Sequence, residues 1–180
     1  MIADNMQKYY RPYYHLWVPF LSGGAGVRFH RAAPYPATMA AHGGGFYERL
    51  GEMRTGEYQG ESFREHPFYH EQLRWVRNFR NFTDRLDFRT MDPLWDIVTD
   101  GEAYGFGRTG EEYVIYVHDS GSFTIANHGM SGTFEGYWYN PDTGEASGQF
   151  TRTVNPDQSV TFDVPGSVAE TDMVLHLKKR

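Results

Sequence analysis

The spacing of apolar side chains predicts one clear helix, over residues 66–86. On a helical wheel, apolar and aromatic residues occupy one half of its surface, and arginine and asparagine residues occupy most of the other half. Pro67 suits the first turn, because the N–H that proline lacks would have no partner there. The apolar half consists of Phe68, Tyr69, Leu73, Trp75, Val76, Phe79, Phe82 and Leu86. The pattern predicts a helix that is half-buried against the rest of the protein.

The chain before this helix has a less regular pattern. Residues 5–21 predict a helix with Asp4 as its N-cap, although Pro12 and Pro19 argue against one uninterrupted helix. Glycine and proline then punctuate the sequence and predict a break, a short strand and a loop. These three segments are residues 22–26, 27–30 and 31–46.

After Asp92-Pro93 the apolar period changes from that of a helix to that of strands. Seven short segments follow, and the Gly, Pro, Asn and Asp residues between them predict turns. Residues 113–117 are apolar throughout, which predicts a central strand covered on both faces. The predicted strands are residues 103–107, 112–118, 122–127, 133–139, 148–154, 160–164 and 173–178. Short strands at this spacing predict a β-sandwich.

The two patterns together predict an α+β protein. Its helical N-terminal region would span residues 1–90, and its antiparallel β-sandwich would span residues 91–180. In the last strand, residues 173–178, apolar side chains recur at every second position, so alternate residues would lie on opposite faces of the sheet. Met173, Leu175 and Leu177 face one way, and Val174, His176 and Lys178 face the other.

Composition narrows the function classes. Aromatic residues make up 17% of the chain, which is typical of a folded protein and of surfaces that bind sugars or proteins. With no cysteine, a disulfide framework, a thiolate zinc site and a cysteine nucleophile are excluded. Residues 1–90 carry 12 Lys/Arg and 9 Asp/Glu, whereas residues 91–180 carry 5 and 14. The acidic half argues against a nucleic-acid partner.

Neither a membrane span nor a secretion signal is visible in the sequence. No stretch approaches the roughly 18–20 apolar residues that cross a bilayer. The first residues lack a basic segment followed by an apolar run. We therefore expect no membrane partner, and export would depend on a signal elsewhere in a longer protein.

Several patterns resemble sites of known chemistry without completing them. His66 and His70 are one helical turn apart, but Pro67 stands where a zinc protease has its glutamate, so we expect no metal and no cofactor. The glycine-rich stretch follows a helix, which is the reverse of the order in a phosphate-binding loop. Three turn aspartates, Asp119, Asp142 and Asp157, could supply oxygen ligands to calcium, but such residues more often cap their own backbone.

Several segments resemble the C-terminal part of bacterial apiosidase-like glycoside hydrolases. The strongest likeness is at residues 137–145 (YWYNPDTGE), followed by residues 104–107 (YGFG), 112–117 (EYVIYV), 16–27 and 73–79. Those enzymes combine a (β/α)8 barrel with a C-terminal β-sandwich labelled a "putative collagen-binding domain". The resemblance implies that residues 1–90 correspond to the end of the barrel. It also implies that the catalytic carboxylates lie on earlier strands, so no catalytic residue is assigned here.

The resemblance implies an accessory or carbohydrate-binding module of a bacterial, extracellular or periplasmic protein. Its partner would be a carbohydrate, or a companion catalytic chain or domain. His30 and Arg31 would lie at the catalytic end of the last barrel strand. Tyr137, Trp138 and Tyr139 could stack on sugar rings, although a core position for Trp138 is the simpler interpretation.

Two other hypotheses remain open from the residues alone. A structural protein could assemble into homo-oligomers or filaments through its tyrosines. A complete small glycosidase could use two of the five glutamates between Glu48 and Glu65, if two of them lay on opposite sides of a glycosidic bond.

Overall fold

In the computed structural model, the described residues are 14–24, 67–118, 121–126, 129–156, 158–166 and 172–180. They form mostly antiparallel β-sheets with few helices, arranged as a β-sandwich. Residues 1–13, 25–66 and four short internal segments lie outside this description. The predicted strand at 27–30 and the predicted loop at 31–46 therefore lie outside the described residues as well.

Within the described residues, two α-helices precede the sheets. Helix α1 is Tyr14–Leu21 and contains Pro19, so this proline is accommodated inside a helix. It ends as predicted at the glycine-rich stretch, where Gly23 takes a φ of +80° and the N–H of Gly24 donates to the carbonyl oxygen of Pro19 at 2.8 Å. Helix α2 is Pro67–Thr83, within the predicted range, with Pro67 as its first residue. A short 3-10 helix, Phe88–Thr90, leads into the first strand.

In the part of the chain that the structure describes, nine strands form two sheets. They are β1 Asp92–Leu94, β2 Val98–Asp100, β3 Ala103–Arg108, β4 Glu112–Val117, β5 Ser122–Ile125, β6 Gly132–Tyr139, β7 Ala146–Val154, β8 Val160–Asp163 and β9 Met173–Lys179. The six-stranded sheet has the order β1-β3-β4-β9-β6-β7, and the three-stranded sheet has the order β2-β5-β8. All seven predicted strands are present within a few residues. Strands β1 and β2, of three residues each, were not predicted.

A core of apolar side chains fills the space between the two sheets. Tyr113 and Ile115 of β4 and Leu175 of β9 point into it from the larger sheet, and Phe123 and Phe162 point into it from the smaller one. We call this side of the six-stranded sheet its inner face. Strand β4 is buried along its whole length, as predicted for a central strand.

A second core lies on the outer face of the six-stranded sheet, under the helices. Val114, Tyr116 and Val174 point outward from the sheet and meet Trp17 of α1 and Phe82 of α2. The ring of Trp17 is fully buried and stacks on Tyr116, with centroids 6.1 Å apart. The helices thus cover one half of a sheet face, and strand alternation supplies apolar side chains to both cores.

The turn between β6 and β7 fixes the position of α2. The side chain of Asn78 donates from Nδ2 to the carbonyl oxygens of Asp142 and Pro141, at 2.7 and 3.3 Å. The carboxylate of Asp142 accepts hydrogen bonds from Arg74 and Trp75, both at 2.7 Å. The residues with the strongest family resemblance therefore form a docking point for a helix.

The two edges of the six-stranded sheet differ. Strand β1 is short and contains Pro93, whereas β7 is nine residues long and mostly exposed. Arg152 of β7 reaches across to the smaller sheet, where it donates to the carbonyl oxygen of Thr161 at 2.9 Å and lies over the ring of Phe162. This contact closes one side of the sandwich.

Candidate functional site

An open cleft of about 530 Å³ lies on the outer face of the six-stranded sheet, on the part that the helices leave uncovered. Three strands supply its floor, in the order β9, β6, β7. Its main side chains are Glu135, Tyr137, Gln149, Thr151, His176 and Lys178. We call this feature the outer-sheet cleft.

Strand register explains why these residues meet. Tyr137 of β6 pairs with His176 of β9, and Glu135 pairs with Lys178. On the other side of β6, Glu135 pairs with Thr151 of β7. Directly opposed residues have side chains on the same face of a sheet, so alternate positions of the three strands form one polar surface. Beyond Gly136 the pairing of β6 and β7 shifts, which marks an irregularity beside the cleft.

Tyr137 is the aromatic residue on the floor of the cleft. Its ring is half-buried and lies edge-on to His176, with centroids 5.1 Å apart, while Phe82 of α2 is 6.3 Å away. Burial raises the pKa of its hydroxyl group, and the positive charge of Arg85 opposes that rise. Neighbours on two sides therefore hold the ring in place, as a stacking surface for a ligand requires.

A buried carboxylate holds His176 in position. Glu112 is 3% exposed and accepts hydrogen bonds from Nε2 of His176 and Nη2 of Arg108, both at 2.9 Å. Burial lowers the pKa of His176, and the hydrogen bond to Glu112 opposes that change. His176 is therefore neutral near pH 7 and can offer a polar ring edge without a charge.

Charged side chains line the outer part of the cleft. Nε of Arg180 is 2.7 Å from a carboxylate oxygen of Glu135, and both side chains are largely exposed. Nζ of Lys178 is 3.8 Å from Glu112 and is exposed as well. The cleft therefore combines an aromatic ring, neutral hydrogen-bonding groups and exposed charges.

The structure separates the three aromatic residues that the sequence had placed together. Tyr137 lies in the cleft. Trp138 points to the inner face, where it is 4% exposed and lies edge-on to Phe123. Tyr139 is 2% exposed under α2, and its hydroxyl group donates to the carbonyl oxygen of Asn78 at 2.8 Å. Trp138 and Tyr139 have no exposed ring face, so stacking on a sugar is ruled out for them by burial.

Other predicted positions fall partly outside the description. His30, Arg31, His66, Asp119, Asp157 and the glutamates from Glu48 to Glu65 lie outside the described residues. Asp142 is described, and its Oδ1 accepts hydrogen bonds from Arg74 and Trp75, so this turn aspartate contacts helix α2. Within the described ranges, no group of three or more His, Asp or Glu side chains is arranged to hold a metal ion. Nor is any described helix long and apolar enough to cross a membrane.

Sequence reasoning missed most of the cleft. The alternation of the last strand had already placed His176 and Lys178 on one face, but the neighbouring strands were unknown. Gln149 and Thr151 are ordinary polar residues of an edge strand, and only the register joins them to Tyr137. A further missed feature is Trp95, in the connection between β1 and β2, which is 72% exposed.

Comparison with known proteins identifies relatives of this architecture. Residues 96–178 match the family model described as "Putative collagen-binding domain of a collagenase". A glycoside hydrolase of family 5 from Bacteroides vulgatus has a similar structure over 67% of this chain, with 17% identity and a TM-score of 0.51. A second solved structure, named "Glycoside hydrolase", is similar over 64% of the chain, with 17% identity and a TM-score of 0.47. No curated protein matches the chain.

The chain is much shorter than these solved structures. It spans 28% of the Bacteroides vulgatus chain and 26% of the second one. At 17% identity, the likeness to the former concerns the fold, and it leaves the residues of the cleft to be argued from their own geometry.

Proposed function

We propose that this chain is a non-catalytic accessory module of a carbohydrate-active protein and that its outer-sheet cleft binds a saccharide. Two comparisons support the setting: the family match of residues 96–178 and the fold shared with part of a glycoside hydrolase. The observation that carries the binding role is Tyr137. It is an aromatic ring held in an open, polar cleft by His176 and Phe82.

The chemistry of the cleft suits a sugar. A pyranose ring has an apolar face of C–H groups and a periphery of hydroxyl groups. The face of the Tyr137 ring can stack on the apolar C–H face of the sugar, because a tyrosine ring is apolar and its hydroxyl group remains in contact with water. The hydroxyl groups of the sugar can exchange hydrogen bonds with three polar groups of the cleft: the amide of Gln149, the hydroxyl group of Thr151 and the ring edge of His176. A shallow site of this kind would bind one part of a long polysaccharide.

The proposal extends to the setting of the module. A companion catalytic domain, similar to the barrel of apiosidase-like glycoside hydrolases, would carry the carboxylates that cut the bond. The module would then hold that domain at its polysaccharide outside the cell or in the periplasm. Helices α1 and α2 would link the two parts, because they already pack on the sandwich.

The test is binding of the full 180-residue chain to soluble polysaccharides in affinity electrophoresis. We expect retardation by at least one polysaccharide and its loss in Tyr137→Ala. Tyr104→Ala is the matched control, since Tyr104 is also half-buried on the outer face but does not line the cleft. Equal retardation of the Tyr137→Ala variant and the native chain would contradict the role of the cleft. Triple-helical collagen belongs in the same panel because of the family description.

Assembly of identical chains is a second candidate function. Trp95, Leu73 and Phe88 expose 72%, 48% and 43% of their surface, which is unusual for large apolar side chains. Sedimentation velocity over a hundredfold range of concentration tests it. Association that Trp95→Ser abolishes would favour assembly, whereas a monomer at all concentrations would contradict it.

A further inference from the structure

We infer that the saccharide bound in the outer-sheet cleft is acidic, with carboxylate groups of uronate residues held by Lys178 and Arg180. This inference rests on the proposed function, because it names the class of ligand for the same cleft. It follows from the charge around the cleft, from the spacing of the strands and from the contrast with the rest of the sandwich.

Positive charge is concentrated at this site. Residues 91–180 contain five Lys and Arg against 14 Asp and Glu, and three of the five are the last three residues. Two of them, Lys178 and Arg180, line the cleft, with side chains 63% and 62% exposed. Exposed cations at this site favour a polysaccharide that carries negative charge over a neutral one.

The local carboxylates do not cancel these cations. Glu112 is buried and is already bonded to Arg108 and His176 at 2.9 Å, so its contact with Lys178 at 3.8 Å is a weak one. Glu135 is the one exposed carboxylate that lines the cleft among the described residues, and it pairs with Nε of Arg180. The guanidinium group has further N–H donors on its terminal nitrogens, which can meet a second carboxylate.

Arg85, which follows helix α2 and is exposed, is a third cation near Tyr137, and its charge opposes the rise in the pKa of the Tyr137 hydroxyl group. Among the described residues, Lys178 and Arg180 line the cleft and Arg85 acts on Tyr137 from the end of helix α2, whereas Glu135 is the one exposed carboxylate in the lining.

The distances suit an acidic sugar on Tyr137. His176 of β9 is the direct partner of Tyr137. Lys178 is two residues further along β9, on the same face of the sheet. Diagonal neighbours of this kind are roughly 7–8 Å apart in a sheet. A sugar ring stacked on Tyr137 would project an equatorial carboxylate part of the way along this span, and the flexible lysine side chain would cover the rest. The next residue of the chain would then lie toward Arg180 and Glu135.

The experiment compares the charged and the neutral form of the same saccharide, for two saccharides. Oligogalacturonate and oligomannuronate are titrated calorimetrically into the full chain at low salt, each as the free acid and as its carboxyl methyl ester. We expect the free acid of at least one series to bind more tightly than its ester. We also expect that advantage to shrink as salt rises, because exposed charges are screened within about 10 Å at 0.1 M salt.

Charge-matched variants localise the effect. Lys178→Gln and Arg180→Gln should each weaken binding of the free acid about two- to fivefold, the range for exposed ion pairs, and leave binding of the ester unchanged. Lys179→Gln removes the same charge, but Lys179 points away from the cleft, toward Gly132. It should leave the affinity for the acid unchanged. Thermal unfolding of each variant verifies that it is folded.

The outcomes separate the two proposals. Equal binding of acid and ester would overturn the acidic ligand and leave the saccharide site standing. So would an equal loss of acid binding in Lys179→Gln and Lys178→Gln. If neither these ligands nor any neutral polysaccharide binds, both the acidic ligand and the proposed function fall.

Discussion

The side-chain amide of Asn78 in helix α2 donates to the backbone carbonyl oxygen of Asp142, 2.7 Å away, in the turn between β6 and β7. Asn78 is 3% exposed and also receives a hydrogen bond on its own carbonyl oxygen from Tyr139. One residue thus joins the helix to two consecutive parts of the sheet. Several consequences of this packing can be measured.

Asn78→Ala should lower the free energy of unfolding by about 1–3 kcal/mol, since it leaves buried carbonyl oxygens without a donor. Urea unfolding measures the change. Asn81→Ala, at an exposed position of the same helix, is the control and should change stability by about 0.5 kcal/mol or less. An equal effect of both variants would show that helix propensity, not the contact with the turn, determines the result.

Gly144→Ala should be more destabilising than Gly166→Ala. Both glycines have positive φ, +80° and +64°, so each alanine would strain the backbone by about 1–2 kcal/mol. At Gly144 the added Cβ would also lie 2.6 Å from Oδ1 of Asn78, whereas at Gly166 it would meet nothing within 4 Å. The difference between their urea midpoints isolates the contact with α2. Indistinguishable midpoints would mean that the helix moves away at little cost.

His176 should make the protein less stable as the pH falls. Its folded-state pKa lies below the ordinary 6.5, so the unfolded chain takes up a proton first. The contribution of His176 is complete above pH 6.5 and is lost as the pH falls toward the folded-state pKa. The free energy of unfolding, relative to that of His176→Gln, should therefore decline below pH 6.5. His70→Gln, at an exposed position, is the control.

Residues 91–180 alone should be less stable than the full chain. Without the helices, the outward-facing Phe106, Val114, Tyr116 and Val174 would be exposed, and each buried apolar side chain contributes about 1.5–3 kcal/mol. Urea unfolding and binding of a hydrophobic dye test this. A fragment starting at residue 67, which keeps α2, should be intermediate. A fragment 91–180 as stable as the full chain would instead support the predicted division at residue 90 as a folding boundary.

The positions of the helices and strands could be predicted from the sequence more accurately than the side of each that is buried. Seven strands could be located because turn residues separate them and because 113–117 is apolar throughout. Strands β1 and β2 were not predicted, because three residues are too few to show a period. In β1, Pro93 also argued against a strand, since proline is uncommon within strands. Helix α2 was found from its amphipathic pattern, although Leu73 of the apolar half is 48% exposed.

The candidate site needed information that a single strand does not hold. Tyr137, Trp138 and Tyr139 are consecutive, so two must share a face and the middle one must oppose them. The second sheet determines that Trp138 faces the core and not a ligand. Helix α2 determines that Tyr139 is buried. Only the pairing of β6 with β9 and β7 shows that Tyr137 alone has polar neighbours.

The unequal edges of the six-stranded sheet bear on how this protein would aggregate. An exposed edge is a template to which another strand can add, and proline or lysine in it is a common safeguard. Strand β1 is short and has Pro93, whereas β7 is nine residues long, contains neither proline nor lysine and has one irregularity in its pairing with β6. In the part of the chain that the structure describes, the larger sheet can therefore be extended from one side only. If two copies associated edge to edge through β7, neither would have an exposed β7 edge left for a third copy. Growth into long fibrils through this sheet would therefore stop at a dimer.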